Sequence, residues 1–201
     1  MFKFFTIFVI LTGFASTTMN AQFSQPKNPW IMGFGVNLIN DSVEGGNGLL
    51  DFSDRYHYHM PFSLSIEKKF NTLLGLNLGL NNNRYLEGKI INNRIVDEDI
   101  RFFAADLGLR FYPSNLWTNP ERTNYELFGT GGISLTFLDG DSSPNFFIGP
   151  GVNIYLSDNW WFQGQGLAKI TLDNRIDGSN YLQVNIGVIY KFLDDTRCGC
   201  Y

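Results

Sequence analysis

The chain has 201 residues, a formal net charge of −4, 16% aromatic residues and 21 glycines. That mild acidity leaves no basic patch for nucleic acid. Its two cysteines, Cys198 and Cys200, are separated only by Gly199 near the C-terminus and exclude a disulfide framework. The length suits one domain, and abundant glycine and aromatics with few strong helix formers point to strands.

Residues 1–21 read as a secretory signal peptide. Lys3 gives a basic start, an apolar stretch runs from Phe4 to about Ala15, and a polar run ends at Ala21, where cleavage is expected. The apolar stretch is about twelve residues, too short for a membrane-spanning helix of roughly 20. Residues 22–29 then form a short N-terminal segment.

Alternation of apolar and polar residues, the signature of half-buried strands, recurs in eight segments. Segment 30–40 sets Trp30, Met32, Phe34, Val36 and Leu38 against Gly33, Gly35 and Asn37. Segment 58–67 sets Phe62, Leu64 and Ile66 against Ser63, Ser65 and Glu67. Segment 73–81 opposes Leu74, Leu76, Leu78 and Leu80 to Gly75, Asn77 and Gly79. In 100–112, Phe103, Leu107 and Phe111 oppose Asp106, Gly108 and Arg110. Segment 125–137 has Glu126, Thr130, Ser134 and Thr136 on its polar side. Segment 146–156 offers Ile148, Val152 and Ile154 against Gly149, Gly151 and Asn153. Segment 160–172 offers Phe162, Ala168 and Ile170 against Gln163, Gln165 and Lys169. Segment 182–192 places Ile186, Val188, Tyr190 and Phe192 opposite Gln183, Asn185, Gly187 and Lys191.

The connections sort by length. Long ones follow the first and third segments, and the eight-residue-scale stretches "LDGDSSPN" and "DNRIDGSN" follow the fifth and seventh. The others are short, "KKFNT" and "SDN", except "PSNLWTNPERT". Long loops at one end and tight turns at the other are the pattern of outer-membrane barrels. Aromatics sort by height as well. Trp30, Phe70, Phe111, Tyr112, Tyr125, Tyr155, Trp160, Trp161, Tyr190 and Phe192 fall at the end where the first segment starts. Tyr58, Phe102, Phe137, Phe146 and Tyr181 fall at the other. Two girdles flanking an aliphatic band are what membrane interfaces select.

These signals predict an all-β protein: a single eight-stranded antiparallel up-and-down transmembrane β-barrel over residues 30–192, followed by a short periplasmic tail, 193–201. A sheet in hydrocarbon must close, because an open edge leaves backbone groups unsatisfied. Eight strands leave an interior that side chains just fill. Asp106, Arg110, Glu126, Gln163, Gln165, Lys169 and Lys191 are expected to form that polar plug. On the outer face, Gly164, Gly166 and Ala168, with Gly129 and Gly131, form a candidate patch where another barrel packs closely.

The stretches "NPWIMGFGVNLIND" (28–41) and "GPGVNIYLSDNWWFQGQG" (149–166) resemble the barrel domain of OmpA-family outer-membrane proteins of Bacteroidetes, and the resemblance covers Asn28 to Phe192. It implies localisation in the bacterial outer membrane, contact with its lipid, and insertion by the barrel-assembly machinery. Asn185, Gly187, Tyr190 and Phe192 in "NIGVIYKF" stand at the spacing of the C-terminal insertion signal of such barrels. Family members often continue into a peptidoglycan-binding domain. This chain runs nine residues past Phe192, so cell-wall anchoring is not expected of it.

For function the residues leave several readings. A structural or interaction barrel, as an accessory subunit of an outer-membrane complex, accounts for the plug and the patch. A narrow pore along the inner glycines is the alternative. An enzyme would have to use His57 and His59 with Asp51 and Asp54, but acid–base work needs a water-excluding site and no nucleophile accompanies them; a solvated loop is expected there. Carboxylates in 138–145 and 95–100 suit calcium in type but match no EF-hand loop. No cofactor or metal is expected, and catalysis is not.

Overall fold

The computed structural model describes residues 28–40, 56–57, 59–88, 90–91, 94–95, 97–120, 122–172 and 180–192. The signal peptide, the tail with Cys198 and Cys200, and Asp51, Asp54 and Tyr58 lie outside the described residues.

Ten strands form among the described residues, in chain order: β1 (Trp30–Asn40), β2 (Phe62–Lys69), β3 (Leu74–Tyr85), β4 (Ile90–Ile91), β5 (Arg94–Ile95), β6 (Ile100–Phe111), β7 (Tyr125–Leu138), β8 (Asp141–Tyr155), β9 (Trp160–Thr171) and β10 (Tyr181–Phe192). Eight of them close into a barrel in the order β1-β10-β9-β8-β7-β6-β3-β2. Every barrel neighbour is antiparallel, and the first and last strands pair from Trp30↔Phe192 to Asn40↔Leu182. Strands β4 and β5 pair only with each other, as a small hairpin in the stretch that the alternation leaves as a loop between β3 and β6. Below, the "terminal end" is where Trp30 and Phe192 lie, and the "loop end" is opposite.

Period-2 alternation makes the wall two-faced. Along β3, Leu74, Leu76, Leu78 and Leu80 face outward while Gly75, Asn77, Gly79 and Asn81 are buried in the lumen. Burial is therefore inverted relative to a soluble barrel, with aliphatic side chains exposed and polar ones enclosed. That arrangement is stable only where the surroundings are apolar. No helix among the described residues is long and apolar enough to cross a membrane.

Several inward glycines are required by the wall itself. Gly35 and Gly187 face each other across the β1–β10 seam. A Cβ on Gly187 would come 2.2 Å from the Phe34 carbonyl oxygen and 2.7 Å from Gly35 Cα. Gly132 stands likewise against β6, where a Cβ would lie 2.1 Å from the Leu107 oxygen.

Three expectations need correction. The segment "LDGDSSPN" is not a loop: β7 and β8 run through it and pair up to Leu138↔Asp141. Only Asp139 and Gly140 turn, with φ of 45° and 105°. Two successive positive φ values suit the tight hairpin turn that an Asp-Gly pair favours. "KKFNT" is not wholly a turn either, because β2 continues to Lys69. The third concerns the girdles. Phe102, Tyr112, Trp161 and Tyr181 are buried inside the barrel, not set in its lipid-facing belts. Trp30, Phe70, Phe111, Tyr125, Tyr155, Trp160 and Phe192 do lie exposed at the terminal end, and Phe146 at the other.

Candidate functional site

The lumen gathers ionisable groups away from solvent. Among the described residues seven charged side chains are buried there: Glu67, Lys69, Asp106, Arg110, Glu126, Lys169 and Lys191. They sort into three tiers.

Nearest the terminal end, Glu126 on β7 accepts from two cations at once, Lys69 Nζ at 2.9 Å and Lys191 Nζ at 2.6 Å. Asn153 Nδ2 also donates to this carboxylate, and Gln163 Nε2 donates to Asn153 Oδ1. In the second tier, Arg110 Nη1 donates to Glu67 Oε2 at 2.8 Å, and the Tyr112 hydroxyl donates to the same carboxylate. In the third, Lys169 donates to Asp106 at 2.6 Å while Asn81 and Ser134 supply that carboxylate's remaining hydrogen bonds. Each carboxylate thus has a cation and at least one neutral donor, which is what a low-dielectric site demands.

Every one of the four cations also lies against an aromatic ring. Lys191 Nζ is 3.5 Å from the Trp161 centroid and Lys69 Nζ 3.8 Å from that of Tyr112. Arg110 Cζ is 4.6 Å from the Phe128 centroid, and Lys169 Nζ 5.4 Å from that of Tyr181. Ring faces attract cations most when water is excluded. This explains why Tyr112, Trp161 and Tyr181 leave the membrane interface for the lumen.

At the loop end an aromatic cap replaces the ion pairs. Ile39, Tyr85, Phe102, Ala104 and Tyr181 pack together, and Phe102 stacks edge-on with Tyr85 and with Tyr181. His57 joins them. It pairs by its backbone with Ile39 and meets the Tyr85 ring at 4.3 Å. The expectation of a solvated loop therefore fails for His57, which is buried, and holds for His59, which is exposed. Asn83 Nδ2 fastens this arrangement by donating to the carbonyls of both Asn37 and His57.

Between the second and third tiers, against Arg110 and Asp106, is a polar cavity with space for water centres of about 30 Å³, and it adjoins a second of about 20 Å³ along the β1–β10 seam. At roughly 10–15 Å³ per water they accommodate a few water molecules and no larger solute. They share Ser63, Ser65, Gln163 and Asn185.

Asp106, Arg110, Glu126, Gln163, Gln165, Lys169 and Lys191 are all buried in this lumen. Glu67, Lys69 and Tyr112 belong to it equally; Glu67 carried a signal, standing on the polar side of its segment, but Lys69 fell in a presumed turn. On β10, Tyr190 and Phe192 face outward and touch edge-on at 4.8 Å, and Tyr190 also meets Trp160; Asn185 and Gly187 face the lumen. Gly164, Gly166 and Ala168 lie on the outer face of β9, with Gly129 and Gly131 on that of β7. Among the described residues, no three His, Cys, Asp or Glu side chains converge as a metal site.

No protein-family model matches the chain, and no curated relative matches it. Solved structures do. OprG of Pseudomonas aeruginosa superposes with a TM-score of 0.58 at 14% identity, over 85% of this chain and 98% of OprG. The N-terminal β-barrel domain of Pseudomonas aeruginosa OprF gives 0.54 at 12%, over 84% and 99%. Neisserial surface protein A gives 0.54 at 10%, over 82% and 96%. The fold is that of a small outer-membrane barrel. At such identities the likeness extends to architecture alone, and the role of this barrel rests on its own residues.

Proposed function

We propose that the protein is a non-enzymatic integral barrel of the bacterial outer membrane, with a structural or interaction role as an accessory subunit of a membrane complex. Its terminal end faces the periplasm and its loops face outward. The observation that carries this reading is the lumen, in which each of the three buried carboxylates meets a cation and the two cavities beside them hold a few waters at most. A plug of this kind stiffens the wall and offers no passage for solute. The ionised groups are spent on each other, which argues against catalysis.

The outer face supports an interaction role. Gly129 and Gly166 have nothing within 4 Å of where a Cβ would be, and at Gly131 and Gly164 a Cβ would make only ordinary contacts. The barrel itself does not require glycine there, unlike at Gly132 or Gly187. Small residues facing outward let another transmembrane surface approach closely. Pro150, on the same outer face, stands where the β8–β9 ladder lapses between Ile148↔Ala168 and Gly151↔Gln165; it has no N–H to give. Tyr190 and Phe192, with Asn185 and Gly187, serve insertion as the terminal signal read by the assembly machinery.

Tagged purification from native outer membrane in mild detergent tests the reading. A stoichiometric partner is the expected result; recovery as a lone monomer contradicts the accessory role. A narrow pore is the second reading, favoured by the two adjoining polar cavities.

A further inference from the structure

The connection between β6 and β7 is longer than the other two turns at the terminal end, and it is built unlike a solvated loop. Residues Pro113–Leu116 form a single 3₁₀ turn whose polar side chains point back into the rim. Ser114 is fully buried, and its Oγ accepts from the Leu127 backbone N–H at 3.0 Å while lying 3.3 Å from the Leu127 carbonyl. The last β6–β7 pair is Phe111↔Gly129, so Ser114 takes over the edge of β7 that β6 has left. Asn115 Nδ2 donates to the Thr72 carbonyl of the neighbouring turn, and the Thr118 hydroxyl donates to the Ser114 carbonyl. The Tyr112 N–H donates to Leu73.

Within residues 113–118 these bonds fix which side chains face away from the rim, and they are the apolar Leu116 and Trp117; further along the connection Asn119, Arg122 and Asn124 are exposed. Leu116 is 64% exposed and Trp117 63% exposed. A turn meant for water would reverse that choice. The strands flanking this turn carry the lipid-facing Phe111, Tyr125 and Leu127, and Phe70 lies in the turn to which Asn115 is tied; all are exposed. The turn thus adds two exposed apolar side chains to those at the adjoining strand ends.

We propose that this turn is a membrane-surface anchor: Leu116 and Trp117 seat in the headgroup boundary of the periplasmic leaflet. The inference rests on the membrane placement proposed above. An indole suits that boundary because its ring is apolar and its N–H polar. The occupant is lipid because the surface is continuous with the lipid-facing belt. A rigid anchor on one side of the rim also sets the depth of the β6–β7 side in the bilayer.

The test is a difference measurement on the full chain folded into phosphatidylcholine vesicles. Wild-type emission minus that of Trp117→Phe isolates the one indole while an apolar ring keeps its place. Expected is a blue-shifted difference spectrum, quenched by phosphatidylcholine brominated near the top of the acyl chain and insensitive to iodide. A red-shifted, iodide-quenched spectrum puts Trp117 in water and overturns the anchor; it would leave the turn to a periplasmic partner. Unheated gel mobility on the same samples reports whether the barrel inserts. Failure there overturns the membrane placement itself, and is thereby distinguished from failure of the anchor alone.

Discussion

Glu126 Oε2 lies 2.6 Å from Lys191 Nζ, so a carboxylate on β7 meets an ammonium on the last strand across the lumen, 65 residues away in sequence. The same carboxylate holds Lys69 on β2. One side chain thus ties together three strands that do not neighbour one another in the wall. Replacing Glu126 with Gln removes the only carboxylate that pairs with these two cations among the described residues and leaves both enclosed. Losing one member of a buried pair costs about 3–5 kcal/mol. Urea unfolding of the refolded barrel should show a loss of that order, and an unchanged unfolding curve would contradict the tiered plug.

The glycines separate into two kinds, and alanine substitution distinguishes them. At Gly132 a Cβ would meet the Leu107 oxygen at 2.1 Å and Gly108 Cα at 2.5 Å, both backbone atoms that cannot step aside. At Gly166 it would meet nothing within 4 Å. Gly132→Ala should reduce the yield of compact, heat-modifiable barrel on gels. Gly166→Ala should leave stability within about 0.5 kcal/mol of wild type, as surface changes usually do.

The β7–β8 hairpin depends on Asp139 and Gly140, both at positive φ. A β-branched residue at Gly140 is forced into a conformation costing roughly 1–2 kcal/mol. Gly140→Val should lower the unfolding free energy by about that amount, whereas Asp139→Asn, which tolerates the same backbone, should be silent. Equal effects would mean that the turn is not held as described.

A partner that packs on the outer glycine patch should be lost when the patch is filled. Gly164→Leu combined with Gly166→Leu leaves the lumen untouched, so the barrel should fold and its partner should no longer copurify. Retention of the partner would place the contact elsewhere.

Much of the architecture was legible because alternation at period 2 acts along every strand at once. From Leu74 to Asn81, for example, each leucine faces outward and each glycine or asparagine faces inward. Less was legible at the strand ends. Tyr112 and Trp161 have the composition of a girdle, although alternation aligns them with Arg110 and Gln163 on the inner face; Lys69 and Lys191 beside their rings, and Glu67 at the Tyr112 hydroxyl, give them partners inside. Lys69 itself sits where the pattern fades into a turn, so its pairing with Glu126, 57 residues on, had no local signature. His57 was read as loop because its burial comes from a single backbone pairing with Ile39, which leaves no periodic trace. Asp139-Gly140 did carry a hairpin signal, but the run of Asp, Ser, Pro and Asn after it read as loop; those residues are tolerated because Ser143 and Asn145 hydrogen-bond within the lumen.

The occluded lumen is the centre of this account, and single-channel recording in planar bilayers tests it most directly. Purified wild-type barrel, inserted and verified by its unheated gel mobility, should give no resolvable conductance steps in potassium chloride. Reproducible steps at a defined amplitude would show that ions pass the three tiers and the aromatic cap, and would make the protein a narrow pore instead.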